Sequence, residues 1–271
     1  MVSSLPDTTP AIRATQIWIE RMPTRIPFLE HFDDFPSHLA ILNDAPHFED
    51  VYAISLHIDA DWVHAAYMRG MFPWYADGQP VIWHSPDPRM VLPTANFKCA
   101  ASLTKRLKQW ARQAHSPMRV TLNRDFAGVI SACANMARTD QDGTWITDEL
   151  SAAYTELHRR KLAISVEVWR DDVLVAGLYG VLIGKMFFGE SMFTTLTDGS
   201  KVALACWVNF LKAQGGTLID CQQVTQHLKS LGGAPIDRES FFIQSARLMQ
   251  QSPIDWTTMA SIENLLDAHQ K

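Results

Sequence analysis

Residues 163–190 read AISVEVWRDDVLVAGLYGVLIGKMFFGE, and this stretch decides the fold. Ile164, Val166 and Val168 alternate with Ser165, Glu167 and Trp169, the period of a half-buried strand. Asp171-Asp172 makes the turn into an apolar run over 173–183, Gly184 makes the next, and 185–190 forms a third strand. An antiparallel three-strand meander is the expectation. Downstream, a helix from Ser200 to Gln214 is stopped by Gly215-Gly216, then comes a strand over 217–222 and a last helix ending near Gly232. Upstream, the pattern predicts a helix over 102–114, a strand over 118–122, and a helix opened by Asn123 or Asp125 and running to Arg138. Thr147 caps the helix that precedes the meander, whose Leu150, Ala153, Tyr154 and Leu157 form an i, i+3, i+4, i+7 stripe.

The class is therefore α+β, a mixed sheet flanked by helices over residues 96–271, preceded by a smaller N-terminal α/β domain over 1–95. Residues 1–48 carry several prolines and no sustained period, which predicts a loosely structured lead-in packed against a domain. Asp59 or Asp61 caps a short helix through Arg69, and Gly70 ends it in a left-handed conformation. The cluster Met71-Phe72-Pro73-Trp74-Tyr75 is followed by a strand over 80–84 and by Ser85-Pro86-Asp87-Pro88-Arg89, a stiff loop that fixes Arg89 because two prolines restrict themselves and their predecessors.

Composition narrows the chemistry. The 271 residues are 47% hydrophobic and 20% charged, with a net charge of −5; this is an ordinary globular balance, not a polycation. No apolar run reaches the roughly 20 residues of a membrane span, and the first residues lack a basic, then hydrophobic, leader; the cytoplasm is the expected compartment. Cys99, Cys133, Cys206 and Cys221 are too scattered for a disulfide framework and form no C-x-x-C pair, so they read as reduced thiols. The ten histidines form no H-E-x-x-H cluster, and no metal is expected. Between Lys98 and Arg138, however, eight basic residues stand against the single acid Asp125, leaving −12 for the rest of the chain. On the helix over 102–114, Leu103, Leu107 and Trp110 repeat on one side, which leaves Lys105, Arg106, Lys108 and Arg112 either to grip phosphates or to solvate the face.

A β-meander followed by a βαβ crossover is similar to the N-acetyltransferase-like fold. Enzymes of that kind place Q/R-x-x-G-x-G/A before the helix after the meander, to bind the coenzyme A pyrophosphate; here residues 194–201 read TTLTDGSK. An acyl donor carried on RNA fits better. Indeed Gly70-Met71-Phe72-Pro73-Trp74, Trp83-His84-Ser85-Pro86-Asp87-Pro88-Arg89, Gly143-Thr144-Trp145-Ile146-Thr147, Ser165-Val166-Glu167-Val168-Trp169, Phe188-Gly189-Glu190-Ser191-Met192-Phe193 and Leu218-Ile219-Asp220-Cys221-Gln222 resemble, in order, the blocks of the leucyl/phenylalanyl-tRNA-protein transferase family. The resemblance runs from about Tyr67 to Phe241. His84, Lys161, Ile164, Ala176, Thr194 and Gly199 depart from its pattern, and none is in the expected catalytic pair.

The resemblance implies transfer of leucine, phenylalanine or methionine from aminoacyl-tRNA to the N-terminal Arg or Lys of an acceptor protein, which marks that protein for degradation. It implies no cofactor, and neither DNA nor membrane as partner. An aminoacyl ester is already activated, so the catalyst must chiefly position an amine and accept a proton. Family analogy makes Asp220 and Gln222 catalytic, the carboxylate orienting or polarising the carboxamide that holds the attacking amine. Two apart on a strand, they share a face and Cys221 takes the other. Trp74, Trp145, Tyr154, Phe188 and Met192 are candidates for the donor's apolar pocket. Ser191 belongs to the same substrate-binding block, and Glu190 binds either the donor α-amino group or the incoming basic residue. Lys105, Arg106 and Arg112 are the candidate tRNA contacts. Two rivals remain: an N-acetyltransferase-like enzyme with another acyl donor, separable by thermal-shift titration with acetyl-coenzyme A against aminoacyl-tRNA, and a noncatalytic tRNA-binding module, which would show no turnover.

Overall fold

In the computed structural model, which describes residues 26–43, 50–113, 115–136, 146–260 and 264–269, the N-terminal third supplies α1 (His38–Asn43), β1 (Val51–Ser55), α2 (Ala60–Tyr67), β2 (Phe72–Pro73), β3 (Val81–His84) and β4 (Arg89–Pro93). The first three strands form a small antiparallel sheet in the order β1-β3-β2. Asp59, not Asp61, caps α2, accepting from the N–H groups of Asp61 and Trp62. The described part of the lead-in is packed against the rest, as expected: Ile26, Leu29, Phe35 and Ile41 are buried in the core. Their spacing has no period because irregular chain around Leu29, which bonds to Ile54 of β1, is followed by only a short helix, α1, that carries Ile41.

The rest runs α3 (Ala101–Arg112), β5 (Met118–Leu122), α4 (Phe126–Asn135), α5 (Asp148–Arg159), β6 (Ala163–Arg170), β7 (Val173–Ile183), β8 (Met186–Thr194), α6 (Gly199–Ala213), β9 (Leu218–Gln222), α7 (Gln226–Ser230), β10 (Ala234–Ile236), α8 (Arg238–Met249) and α9 (Trp256–Ala260). The meander forms as its alternation predicts, and Thr147 caps α5 through the Leu150 N–H. Asp125, rather than Asn123, caps α4. The strand β10 and the helix α8 lie beyond the helix expected to be last; α8 is read poorly from sequence because Ser240, Gln244 and Ser245 interrupt the apolar Phe241, Phe242 and Leu248.

The large sheet has seven strands in the order β10-β4-β9-β8-β7-β6-β5. Thus β4, on the N-terminal side of the expected boundary at 95/96, is paired with β9 and β10 inside the sheet of the C-terminal part. Two hydrophobic clusters are formed around it. One joins the small sheet, α2, α4 and α5; the other joins α3, α6 and the C-terminal turn. The sheet is covered on both faces, which suits the near-continuous burial of β7 from Ala176 to Ile183.

Candidate active site

The pair β8/β9 is parallel, whereas the other pairings of the large sheet are antiparallel. They match at Phe187↔Ile219 and Phe188↔Asp220. Each strand then carries an extra residue. Across β7, Gly180 faces Gly189 and Tyr179 faces Ser191, which leaves Glu190 without an opposite number; across β4, Val91 faces Asp220 and Met90 faces Gln222, which does the same for Cys221. Such bulges bend a strand and re-aim its side chains. Here they adjoin a cavity of about 240 Å³. Its walls are mainly apolar, from Leu92, Leu178, Phe187, Met192, Leu204 and Ile219, and Glu190, Ser191, Asp220 and Cys221 also line it.

Three donors converge on the Glu190 carboxylate. The Tyr154 hydroxyl donates to Oε2 at 2.6 Å, the Tyr67 hydroxyl donates to Oε1, and Gln222 Nε2 donates to Oε1 at 3.4 Å. The two phenol oxygens lie 3.3 Å apart. Burial pushes the Glu190 carboxyl up to about 7, against the pull of the hydrogen bonds from Tyr154 and Tyr67, while the charge of Asp220 adds to the rise. Burial and the neighbouring Glu190 charge hold both phenols well above their usual range, so they stay protonated and donating.

Asp220 is fully buried against Arg89, itself fully buried. Arg89 Nε and Nη2 donate to its two oxygens at 2.8 and 2.6 Å, the two-pronged geometry a guanidinium favours. Asp220 Oδ1 also accepts the backbone N–H of Gln222 at 2.9 Å. Gln222 takes φ +62, a left-handed conformation costly for a residue with a Cβ. Strict alternation does not hold through the bulge. Even so, Asp220 and Gln222 reach Arg89 and Glu190, whereas Cys221 packs with the second cluster. Burial pushes the Cys221 thiol up, which suits a pocket wall and not a thiolate nucleophile.

The structure draws together Asp220, Glu190, Ser191 and Met192 at one cavity, with Gln222 and Tyr154 joined to it through their hydrogen bonds to Glu190. Phe188 is buried behind the strand, its ring 4.7 Å from that of Tyr67. Trp74 is elsewhere: it sits on the small sheet with its N–H on the Ile82 carbonyl and its ring 5.7 Å from His84. Trp145 lies outside the described residues. On α3, Lys105 and Arg112 are exposed, while Arg106 reaches Asp198 at 3.7 Å. Glu167 is fully buried at the other end of the sheet, accepting from Thr121, Ser165 and the Asp125 N–H; it braces β5, β6 and the start of α4. Among the described residues no group of three or more His, Cys, Asp or Glu has the geometry to hold a metal ion, and no helix is long and apolar enough to cross a membrane.

Sequence reasoning did not place Tyr67 or Arg89 in the site. The two prolines flanking Asp87 signalled that Arg89 is held, but not by what. Tyr67 gave no signal beyond a polar atom on the buried face of α2.

A family model described as leucyl/phenylalanyl-tRNA protein transferase matches residues 91–246, and the model of that family's N-terminal domain matches 57–87. The leucyl/phenylalanyl-tRNA–protein transferase of Burkholderia vietnamiensis is 49% identical over 231 residues, 85% of this chain and 90% of that protein. Its counterpart in Methylibium petroleiphilum is 55% identical over 193 residues, 71% of this chain and 72% of that one. Among solved structures, a GCN5-related N-acetyltransferase from Kribbella flavida aligns at 11% identity and a TM-score of 0.33, over 68% of this chain and 63% of that one, values at which it says nothing about the chemistry. The sequence matches place the protein among the aminoacyltransferases. It belongs to the leucyl/phenylalanyl-tRNA protein transferase family.

Proposed function

We propose that the protein moves leucine, phenylalanine or methionine from aminoacyl-tRNA to the N-terminal Arg or Lys of acceptor proteins, marking them for degradation, and that it does so in the cytoplasm. The observation that carries this reading is the juxtaposition of a small apolar cavity with Glu190 and Gln222 where β8 and β9 bulge. At about 240 Å³ the cavity is smaller than the roughly 300–1,000 Å³ of sites for drug-sized ligands, and it suits a single apolar side chain. Leu178, Met192 and Leu204 supply the contacts, and shape and hydrophobicity set the preference.

In this reading the acceptor amine attacks the ester carbonyl carbon. The new C–N bond forms, the bond to the ribose oxygen breaks, the amine gives up a proton, and the ribose oxygen gains one. An α-amine has a reference pKa of about 7.7–8.0, so a useful neutral fraction exists near pH 7 and no strong base is required. Gln222 turns its Nε2 to Glu190, which leaves its carbonyl oxygen to accept from the attacking amine. Asp220 orients Gln222 through the main chain. Glu190 offers its carboxylate to a cation, either the donor α-ammonium or the acceptor's basic side chain. Residues 96–271 form the catalytic domain and residues 1–95 a smaller one that lends it β4. The exposed Lys105 and Arg112, with Arg106, take phosphates of the tRNA.

The deciding assay incubates the protein with radiolabelled leucyl-tRNA and proteins beginning with Arg, Lys or Ala. Label on the first two and not on the third is expected; label on none, despite tRNA binding, would leave a binding module.

A further inference from the structure

The Asp220 carboxylate is fully occupied by its own protein. One oxygen takes Arg89 Nε and the Gln222 N–H, and the other takes Arg89 Nη2. Arg89 is in turn held on every side. Its guanidinium lies between the rings of Phe72 and Phe241, 4.7 and 4.6 Å from their centroids, and its Nη1 donates to the Gly70 carbonyl at 3.2 Å. Gly70 adopts φ +73, and a Cβ there would stand 2.2 Å from the Phe242 ring, so this carbonyl is presented by a residue that must be glycine. Two fully buried side chains are thus fixed by three separate segments, at residues 70–72, 222 and 241, and the product of that fixing is one strained residue, Gln222.

We propose that Arg89 is a positioning residue for the transfer. It clamps Asp220, Asp220 holds the Gln222 N–H, and the left-handed turn so imposed aims the Gln222 carboxamide at Glu190 and the cleft. The clamp acts through geometry; neither Arg89 nor the Asp220 carboxylate exchanges a proton with the amine. A buried ion pair is seldom retained for stability, since an apolar pair of similar size often serves as well. A strained backbone needs surroundings that over-determine it, and a two-pronged pair supplies them in a way a lysine does not.

The proposal rests on the aminoacyl-transfer reading, and wild-type transfer to an arginine-starting peptide is the control for that reading: if wild type fails, the reading falls first. With wild type active, Arg89→Lys, Arg89→Met and the double variant Arg89→Met/Asp220→Leu are compared in single-turnover transfer from leucyl-tRNA, alongside Kd for leucyl-tRNA and Tm. Arg89→Met leaves a buried, unpaired carboxylate and is expected to fold poorly. Arg89→Lys is expected to keep Kd within about threefold while the transfer rate falls about 10–100-fold. The double variant removes both charges, so it is expected to recover a Tm near wild type while staying about 100-fold slow or worse. A double variant restored in both Tm and rate would overturn the proposal by making the pair merely structural. Loss of affinity in Arg89→Lys that accounts for its lost rate would overturn it by making Arg89 part of the binding surface. Should the double variant fail to fold, the split between Kd and rate in Arg89→Lys decides alone.

Discussion

The hydroxyl of Tyr154, on α5, donates to the Glu190 carboxylate, on the bulge of β8, at 2.6 Å. Hydrogen bonds to the ionised form pull a carboxyl down, so this bond opposes the burial that lifts Glu190 to about 7. Tyr154→Phe is expected to lift it further. If ionised Glu190 holds a cationic group during transfer, the acid limb of kcat/KM against pH should move to higher pH by roughly one unit. A limb that stays in place would remove Glu190 titration from the reaction.

The same carboxyl makes stability depend on pH. Its folded value, about 7, is above the ordinary value of 4.5, so the folded state binds the proton more tightly than the unfolded chain does. The contribution is fully present below pH 4.5 and is lost as pH rises through 7, up to roughly 3 kcal/mol in all. Glu190→Gln should flatten that part of the curve. Urea unfolding of both proteins between pH 5 and pH 8 measures it; equal slopes would count against the burial argument.

Gln222 at φ +62 sets stability against activity. Gln222→Gly should be neutral or stabilising by about 0.5–1 kcal/mol, because glycine adopts this conformation without strain. Transfer should nevertheless fall about 10²-fold or more, since the carboxamide is gone. Gln222→Ala should lose activity similarly with no gain in stability. Paired measurement of Tm and single-turnover rate checks both, and a fully active glycine variant would discard the carboxamide role.

Met192→Ala opens one wall of the 240 Å³ cavity. The expected result is a raised KM for leucyl- and phenylalanyl-tRNA, equivalent to about 1–3 kcal/mol of lost discrimination. Kinetics with both donors test this; unchanged preference in a folded variant would make Met192 a core residue only.

Reversing the charges of Lys105, Arg106 and Arg112 should weaken tRNA binding whatever the tRNA sequence, and should flatten its dependence on salt, because phosphate contacts release counterions. Arg106, already 3.7 Å from Asp198, should contribute least of the three. Binding titrations at several salt concentrations supply both numbers.

Local signals carried the sequence reading far. Alternation over 163–170, the paired aspartates at 171–172 and the Thr147 cap each act within a few residues, and each element formed. The site was legible only where chemistry clustered along the chain, as in Gly189-Glu190-Ser191-Met192 and Asp220-Cys221-Gln222. Arg89 pairs with Asp220 across 131 positions, and no periodicity encodes such a partner. The bulges at Glu190 and Cys221 were hidden as well, because an extra residue is defined by the strand opposite, not by its own sequence.

The insertion of β4 between β9 and β10 has a price in time during synthesis. Both neighbours of this strand are encoded far downstream, so a growing chain carries β4 with two open edges until residues beyond 218 emerge, an interval on the order of ten seconds at typical elongation rates. Pairing at such long range is slow to close even in the finished chain. The strand that waits begins with a charged residue, Arg89, of the kind that discourages premature edge-to-edge association. The guanidinium that ends up fully enclosed is thus one that water can solvate until both neighbouring strands have been made.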